Sequence, residues 1–385
     1  MIPNEKINAY QFLLLVILFS IGTSILIIPS ILAGEVKQDA WIVAILGTLI
    51  GLLIIWLYCI IGQWFPQLTF VQINEKILGK WVGKLTSLVF VIMSFIYAAT
   101  LLFYSGTFLN IHFMPDTPMA ALNILMTIII VMGVYLGIET IARSAEVFIL
   151  VFIVLFFILI VFIIPEIKLE NIQPIFESNP KKIFKSSLSV IEVTSINAIV
   201  LLMIFPAFIN DIKKGKKFFF IGNLIGGIMI IILTLLCILV LGAYGTAEEI
   251  FPGYELAKRI NVGDFIQRIE SLMSILWIIA LYFKTTAYFY ASVLGITQIF
   301  NLKNYRPLTM PLGGVVVVLS LVLYPNVVYQ KTWNETIGLL LSFSVGLFIP
   351  LLLVVVYFIR KKQLKKESEG SEVQETENEE NFLEK

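Results

Sequence analysis

The sequence predicts an all-α polytopic membrane protein of ten transmembrane helices, arranged as five plus five in inverted repeats. Three observations predict it. The 385 residues are 59% hydrophobic and only 14% charged, whereas soluble domains are about 25% charged. The apolar residues gather into ten runs, each close to the roughly 20 residues that cross a bilayer. The first and sixth runs hold matching places in the two halves, and both carry polar residues in their interiors. Such paired interruptions point to an inverted-repeat transporter fold with a site near the midplane.

The runs fall at about 9–33, 40–62, 84–110, 119–137, 144–164, 186–209, 218–244, 265–300, 308–324 and 336–359. The repeats are therefore expected at about 9–164 and 186–359, within a ten-helix domain covering 1–366. With the N-terminus inside, the cytoplasmic segments hold about twice as many Lys and Arg as the outer ones, which supports both termini inside. Residues 66–81 read as a short amphipathic helix on the cytoplasmic face. Residues 165–185 form an outer loop punctuated by Pro165, Pro174 and Pro180. In the loop 245–264, Pro252-Gly253 marks a turn and Tyr254–Ile260 a short helix. Residues 367–385 are rich in Glu, Ser and Asn and read as a disordered acidic cytoplasmic tail.

The first run holds the main candidate for a binding site. Gly22-Thr23-Ser24 interrupts it, and Pro29 follows, unable to donate a helical hydrogen bond. Irregular backbone is tolerated at membrane depth only where it lines an enclosed cavity. A second half-helix starting near Ser24 would turn its N-terminal N–H groups toward that cavity, where an anion could sit. The bland alternative is an intact helix with a small-residue packing notch. In the sixth run the interruption is Glu192-Val193-Thr194-Ser195-Ile196-Asn197, with Pro206 beyond. Gly51, in the second run, has no such polar neighbours and reads as ordinary packing.

Charges inside apolar runs usually face a cavity or a partner. Glu192 lies in span six and Lys284 near the middle of span eight. The two could pair, or one could contact ligand while the other sets its charge; a purely structural ion pair is the alternative. Neutral candidates follow helical spacing: Tyr97, Thr100 and Tyr104 on span three, and Tyr282, Thr285, Phe289 and Ser292 on span eight. Glu139, Arg143 and Glu146 share one face at the start of span five, as a cytoplasmic ion-pair cluster or a gate latch. Asp264, Arg268 and Glu270 would organise the outer start of span eight.

Other chemistries find no support. A lone histidine, His112, sits near a membrane edge, and no metal-ligand cluster, phosphate-binding loop or nucleophile elbow occurs. The chain reads as no enzyme and calls for no cofactor. A net charge of +1 gives no sign of nucleic acid. Cys59 and Cys237 sit in apolar runs and are expected as free thiols. The first run is too long for the core of a signal peptide and lacks a small-residue cleavage site, so no cleavable signal is expected.

Three stretches carry a resemblance: IGTSILIIP in the opening span, NEKILGKWVGKL at 74–85, and FPGYELAKRINVGDFIQRIESL at 251–272. The last is the most particular. Through them the chain, over about residues 5–360, resembles the B subunits of GerA-type spore germinant receptors, a branch of the amino acid–polyamine–organocation transporter superfamily. The resemblance implies a LeuT-like ten-helix fold, residence in the inner membrane of a bacterial spore, and assembly with an A and a C subunit. It also implies sensing of a small nutrient such as an amino acid, and a structural or coupling role for Asp264, Arg268 and Glu270. Unlike many transporters of the superfamily, this chain has no glycine between Ser186 and Ile209. The resulting reading is a germinant sensor whose ligand meets Gly22, Thr23 and Ser24, together with Tyr97, Thr100, Glu192, Ser195, Asn197, Lys284 and Thr285. An ion-coupled amino acid transporter, and a scaffold subunit with a vestigial pocket, are the rival readings.

Overall fold

The computed structural model describes residues 5–260 and 269–363. Asp264, Arg268 and the tail 367–385 lie outside the described residues. Over the described residues, the ten apolar runs fall mainly on helix. Among the described residues, eight helices are long and apolar enough to cross a membrane by length and composition, and Ala9–Ile21 and Arg306–Val322 are shorter apolar helices.

The first run is two helices, α1 (Ala9–Ile21) and α2 (Ser24–Val36). Asn8 and Gln11 close a reciprocal capping box at the start of α1. α3 (Ala40–Trp64) follows a single tight turn. The amphipathic stretch forms α4 (Phe70–Leu78), capped by Thr69 and Gln72, and leads into α5 (Lys80–His112). α6 (Met119–Leu136) and α7 (Ile138–Ile163) meet at Gly137, whose φ of 99° is one a side chain would strain.

Asn179 caps α8 (Pro180–Ile191), with proline in its first turn. Beyond it the sixth run changes character. Glu192–Ile196 is a π turn and Asn197–Met203 a 3-10 segment. α9 (Ile212–Glu248) is interrupted only at Gly242. α10 (Pro252–Lys258) is the short helix expected in the outer loop, begun two residues earlier because proline suits a first helical turn. α11 (Glu270–Ile299), α12 (Arg306–Val322) and the last span, α13 (Val327–Gln363), complete the chain. Within α13, Asn334–Gly338 and Ser344–Phe348 are further π turns.

The core is built around α1, α9 and α11. α9 packs closely on α1 and α3 because small residues face them: Gly222 lies against Val16, Gly226 against Ser20 and Gly227 against Thr48. α11 runs through the centre, buried along nearly its whole length, and packs on α1, α5 and α7. The flanks of α6, α7, α12 and α13 are apolar and exposed, as a lipid-facing surface requires. At one end of the bundle, residues 5–8 strap several elements together. The Ile7 N–H donates to the Phe208 carbonyl, and Asn210 donates back to Ile7. Glu5 accepts from the first amide of α7 and pairs with Arg306 at 3.2 Å, while the Lys6 ammonium donates to the Ala207 carbonyl.

Candidate functional site

α1 stops at Gly22, which adopts φ 23° and ψ −115°, and α2 restarts after Thr23. The first turn of any helix leaves backbone N–H groups without intrahelical partners. Here that turn opens on a cavity of about 350 Å³. Thr23 and Ser24 form part of its floor, with Glu192 and Asn197 from the distorted span six and Lys284 from α11. Tyr97, Thr100, Leu101 and Tyr104 of α5 make one wall. Asn334, Glu335, Thr336 and Leu339 of α13 make another. The rim carries exposed charges: Glu35 at the end of α2, Lys185 on α8 and Glu335 on α13.

The π turn explains how span six is broken without a glycine. A π turn shifts the backbone hydrogen-bond register and leaves carbonyls to be satisfied from outside. Three are met by side chains from three different helices. The Val193 carbonyl accepts from the Lys284 ammonium at 3.0 Å. The Thr194 carbonyl accepts from the Asn223 amide at 2.8 Å, and the Ile196 carbonyl from the Tyr58 hydroxyl at 2.8 Å. Span six is therefore distorted and stitched in place, not unwound.

Lys284 is 2% exposed, and its ammonium also lies 5.1 Å from the Phe19 ring centre, within cation–π range. An ammonium has three donors, and the Val193 carbonyl takes one. Glu192 is bonded otherwise. Its Oε1 accepts from the Ser342 hydroxyl at 2.8 Å and from Tyr97 at 3.4 Å. Among the described residues no ion pair joins Glu192 to Lys284. The two charges share a cavity without touching, so each is left to face what enters it.

The structure thus gathers Thr23, Ser24, Tyr97, Thr100, Glu192, Asn197 and Lys284 at one cavity. Gly22 lies just beneath it, against the Lys284 side chain. Ser195 and Thr285 do not line it. Ser195 donates to Asn223 and packs against Gly51 of α3, and Thr285 bonds its own helix at the Leu281 carbonyl. Of the span-eight stripe, Ser292 likewise bonds back to its helix, and Tyr282 lies against Gly133. On α5, Thr100 meets the Tyr324 hydroxyl at 2.7 Å, and Tyr104 accepts from Asn334 at 2.9 Å.

The proposed cluster at span five is arranged differently from the expectation. Glu139 accepts from the Lys6 backbone N–H at 2.9 Å, and among the described residues no ion pair joins Arg143 to Glu139 or Glu146. Glu270 is the first residue of α11. The last span also contributes site residues, which the sequence expectation does not include. Asn334, Gly338 and Ser342 recur at intervals of four, which places them on one helix face, and that period was the available signal.

Comparison with known proteins agrees with this architecture. The family model described as "Spore germination protein" matches residues 6–327. Spore germination protein KB of Bacillus subtilis (strain 168) is 30% identical over 96% of this chain and 99% of its own. Spore germination protein YndE of the same organism is 24% identical over 94% of this chain and 98% of its own. Among solved structures, MhsT in complex with L-phenylalanine superposes with a TM-score of 0.68 at 14% identity, covering 92% of this chain and 99% of that one. Mhp1, a nucleobase-cation-symport-1 family transporter with bromovinylhydantoin bound, gives 0.69 at 10% identity, covering 93% and 80%. These neighbours carry the fold, which is the LeuT-like transporter fold expected from the sequence. A membrane protein of that fold, matched along most of its length by germination proteins, the chain belongs to the spore germination protein family.

Proposed function

We propose that the chain is the membrane subunit of a nutrient germinant receptor, and that its central cavity binds a small zwitterionic nutrient of the amino acid class. The observation that carries this reading is that Lys284 and Glu192 line one cavity with no ion pair between them among the described residues. On one side, the ammonium of Lys284 and the first turn of α2 offer donors to a carboxylate. On the other, the Glu192 carboxylate offers an acceptor to an amine. A cavity of about 350 Å³ suits a molecule of this size. Occupancy shifts the protein between two states in proportion to the ligand's differential affinity for them. In this reading the two halves, 9–164 and 186–359, are inverted repeats around the cavity. The chain sits in the spore inner membrane with both termini on the core side, beside A and C subunits. The tail 367–385 lies on that same side.

The test is direct. The chain is purified in nanodiscs, with and without candidate A and C partners, and the standard amino acids are screened for binding by displacement of a radiolabelled pool. Saturable binding that Lys284→Met and Glu192→Gln each weaken at least tenfold supports the reading. Binding that survives both substitutions moves the site elsewhere. Robust counterflow of labelled amino acid by the chain alone in liposomes would identify a transporter instead of a sensor.

A further inference from the structure

Ser342 lies 150 residues from Glu192 in sequence, yet its hydroxyl is 2.8 Å from the Glu192 carboxylate. It stands on the short α-helical stretch Leu339–Phe343, between the two π turns of α13. Around it donors are scarce. The Ser342 hydroxyl faces two acceptors, Glu192 Oε1 and, at 3.2 Å, Asn197 Oδ1. The Tyr97 hydroxyl also meets Ser342 and lies 2.9 Å from the Gly338 carbonyl of the first π turn. Each hydroxyl has one hydrogen to give.

The rest of α13 is held at its far end. Tyr357 stacks on Trp64 with ring centres 3.8 Å apart, and Arg360 donates to the Ile77 carbonyl. Between that anchor and the cavity, Leu340, Phe348 and Val355 are exposed on the lipid side. Near the cavity, α13 is attached through hydrogen bonds at Asn334, Gly338 and Ser342, through the Tyr58 hydroxyl at the Gly346 carbonyl, and through ring contacts of Trp333 with Tyr97 and Tyr324.

We infer that Ser342 positions the Glu192 carboxylate and makes α13 the element that answers an amine in the cavity. An ammonium brings three charged donors, and charge-assisted bonds are roughly twice as strong as neutral ones. An amine bonding Glu192 draws the carboxylate toward itself and away from the Ser342 hydroxyl, whose hydrogen can turn to Asn197 Oδ1. α13 then loses one of its ties to span six, keeping those through Asn197 and Tyr58, and its cavity end shifts relative to the Trp64–Tyr357 stack, its π turns supplying local slack. A carboxylate without an amine leaves the tie intact. This inference rests on the reading of the cavity as a nutrient site, and it has an arm that does not.

The test uses the full chain in nanodiscs, spin-labelled at Asp116→Cys and Lys331→Cys. Both positions are exposed, and the native thiols Cys59 and Cys237 are buried. Without any ligand, Ser342→Ala should broaden the 116–331 distance distribution, and Ser342→Thr, which keeps the hydroxyl, should restore it. An unchanged distribution in Ser342→Ala overturns the inference whatever binds. With L-alanine, ethylamine and propionate as probes, the two amines should move the wild-type distribution toward that of Ser342→Ala, and propionate should not. Ser342→Ala should also reduce the preference for L-alanine over propionate by about tenfold, an effect that a packing role would not produce. Amino acid binding with no change in α13 overturns the inference and leaves the receptor reading standing. If no amino acid binds, the receptor reading falls, and the ligand-free arm still decides for or against Ser342.

Discussion

The aliphatic stem of Lys284 occupies the space that a side chain at position 22 would fill; a β-carbon built on Gly22 collides with Lys284 Cδ. Backbone and ammonium are thereby positioned together. Gly22 also holds a φ of 23°, outside the range that other residues adopt comfortably. Gly22→Ala should therefore cost about 1–3 kcal/mol through backbone strain and turn the lysine aside. Gly22→Leu should do more, leaving the protein inserted but largely unresponsive. Germination dose curves beside an immunoblot for the chain provide the measurement. A normal dose curve for Gly22→Leu at normal abundance would reduce this stretch to a packing notch.

Lys284 and Glu192 should couple through the cavity they share. Lys284→Met removes the donor to Val193 and leaves the Glu192 charge without its neighbouring cation. Adding Glu192→Gln should recover part of the loss. A coupling of about 0.5–3 kcal/mol is expected from a thermal-unfolding double-mutant cycle in detergent. Strict additivity would show that the two residues only line the same cavity.

Tyr58 donates toward two carbonyls, Ile196 of span six at 2.8 Å and Gly346 of α13 at 2.6 Å. Both belong to or adjoin π turns, where the regular helical bonds are missing. Tyr58→Phe keeps the ring and deletes the donor, so destabilisation of about 1–3 kcal/mol is expected from buried carbonyls left unmet. Because Tyr58 does not line the cavity, ligand affinity in the folded variant should change less than stability. Equal stability of the two proteins would mean that water replaces the phenol.

Glu5 reaches the first amide of α7 at 2.7 Å and Arg306 at 3.2 Å. Its role resembles that of an N-cap carboxylate, and such caps contribute about 0.5–2 kcal/mol. Glu5→Ala should lower the unfolding midpoint by a few degrees and speed hydrogen exchange at Ile138. Glu5→Gln, which still accepts a hydrogen bond, should retain most of the effect. An Ile138 amide that exchanges equally in all three proteins would remove this role.

Much of the site was legible because charge and irregularity are conspicuous in an apolar chain. Glu192 and Lys284 stand out from their surroundings, and Gly22-Thr23-Ser24 followed by Pro29 marks a break whatever the fold. Other features depend on packing between distant segments. Ser195 looked like a site residue because it adjoins Glu192 by sequence, yet its hydroxyl turns to Asn223. Gly51 looked neutral, yet a β-carbon there would strike the Ser195 hydroxyl, so even alanine must displace a neighbour. Ser342 carries only a weak sequence signal, its four-residue spacing from Gly338 and Asn334, because Ser344 in the same apolar run looks equally eligible until the helix is laid beside span six. The stitching of the π turn by Tyr58, Asn223 and Lys284 draws on three helices, so no local pattern could have announced it.

The strap at residues 5–8 has a mechanical consequence. Asn8 caps α1 directly, so no slack separates the tie to 207–210 from the helix that follows. α1 is thus a post fixed at its foot, with the joint at Gly22 and Thr23 at its head. A joint above a fixed post lets only the upper arm swing. While the strap holds, a swing about Gly22 and Thr23 would carry α2, with Glu35 at its end, relative to the rim residues Lys185 and Glu335 and leave α1 in place.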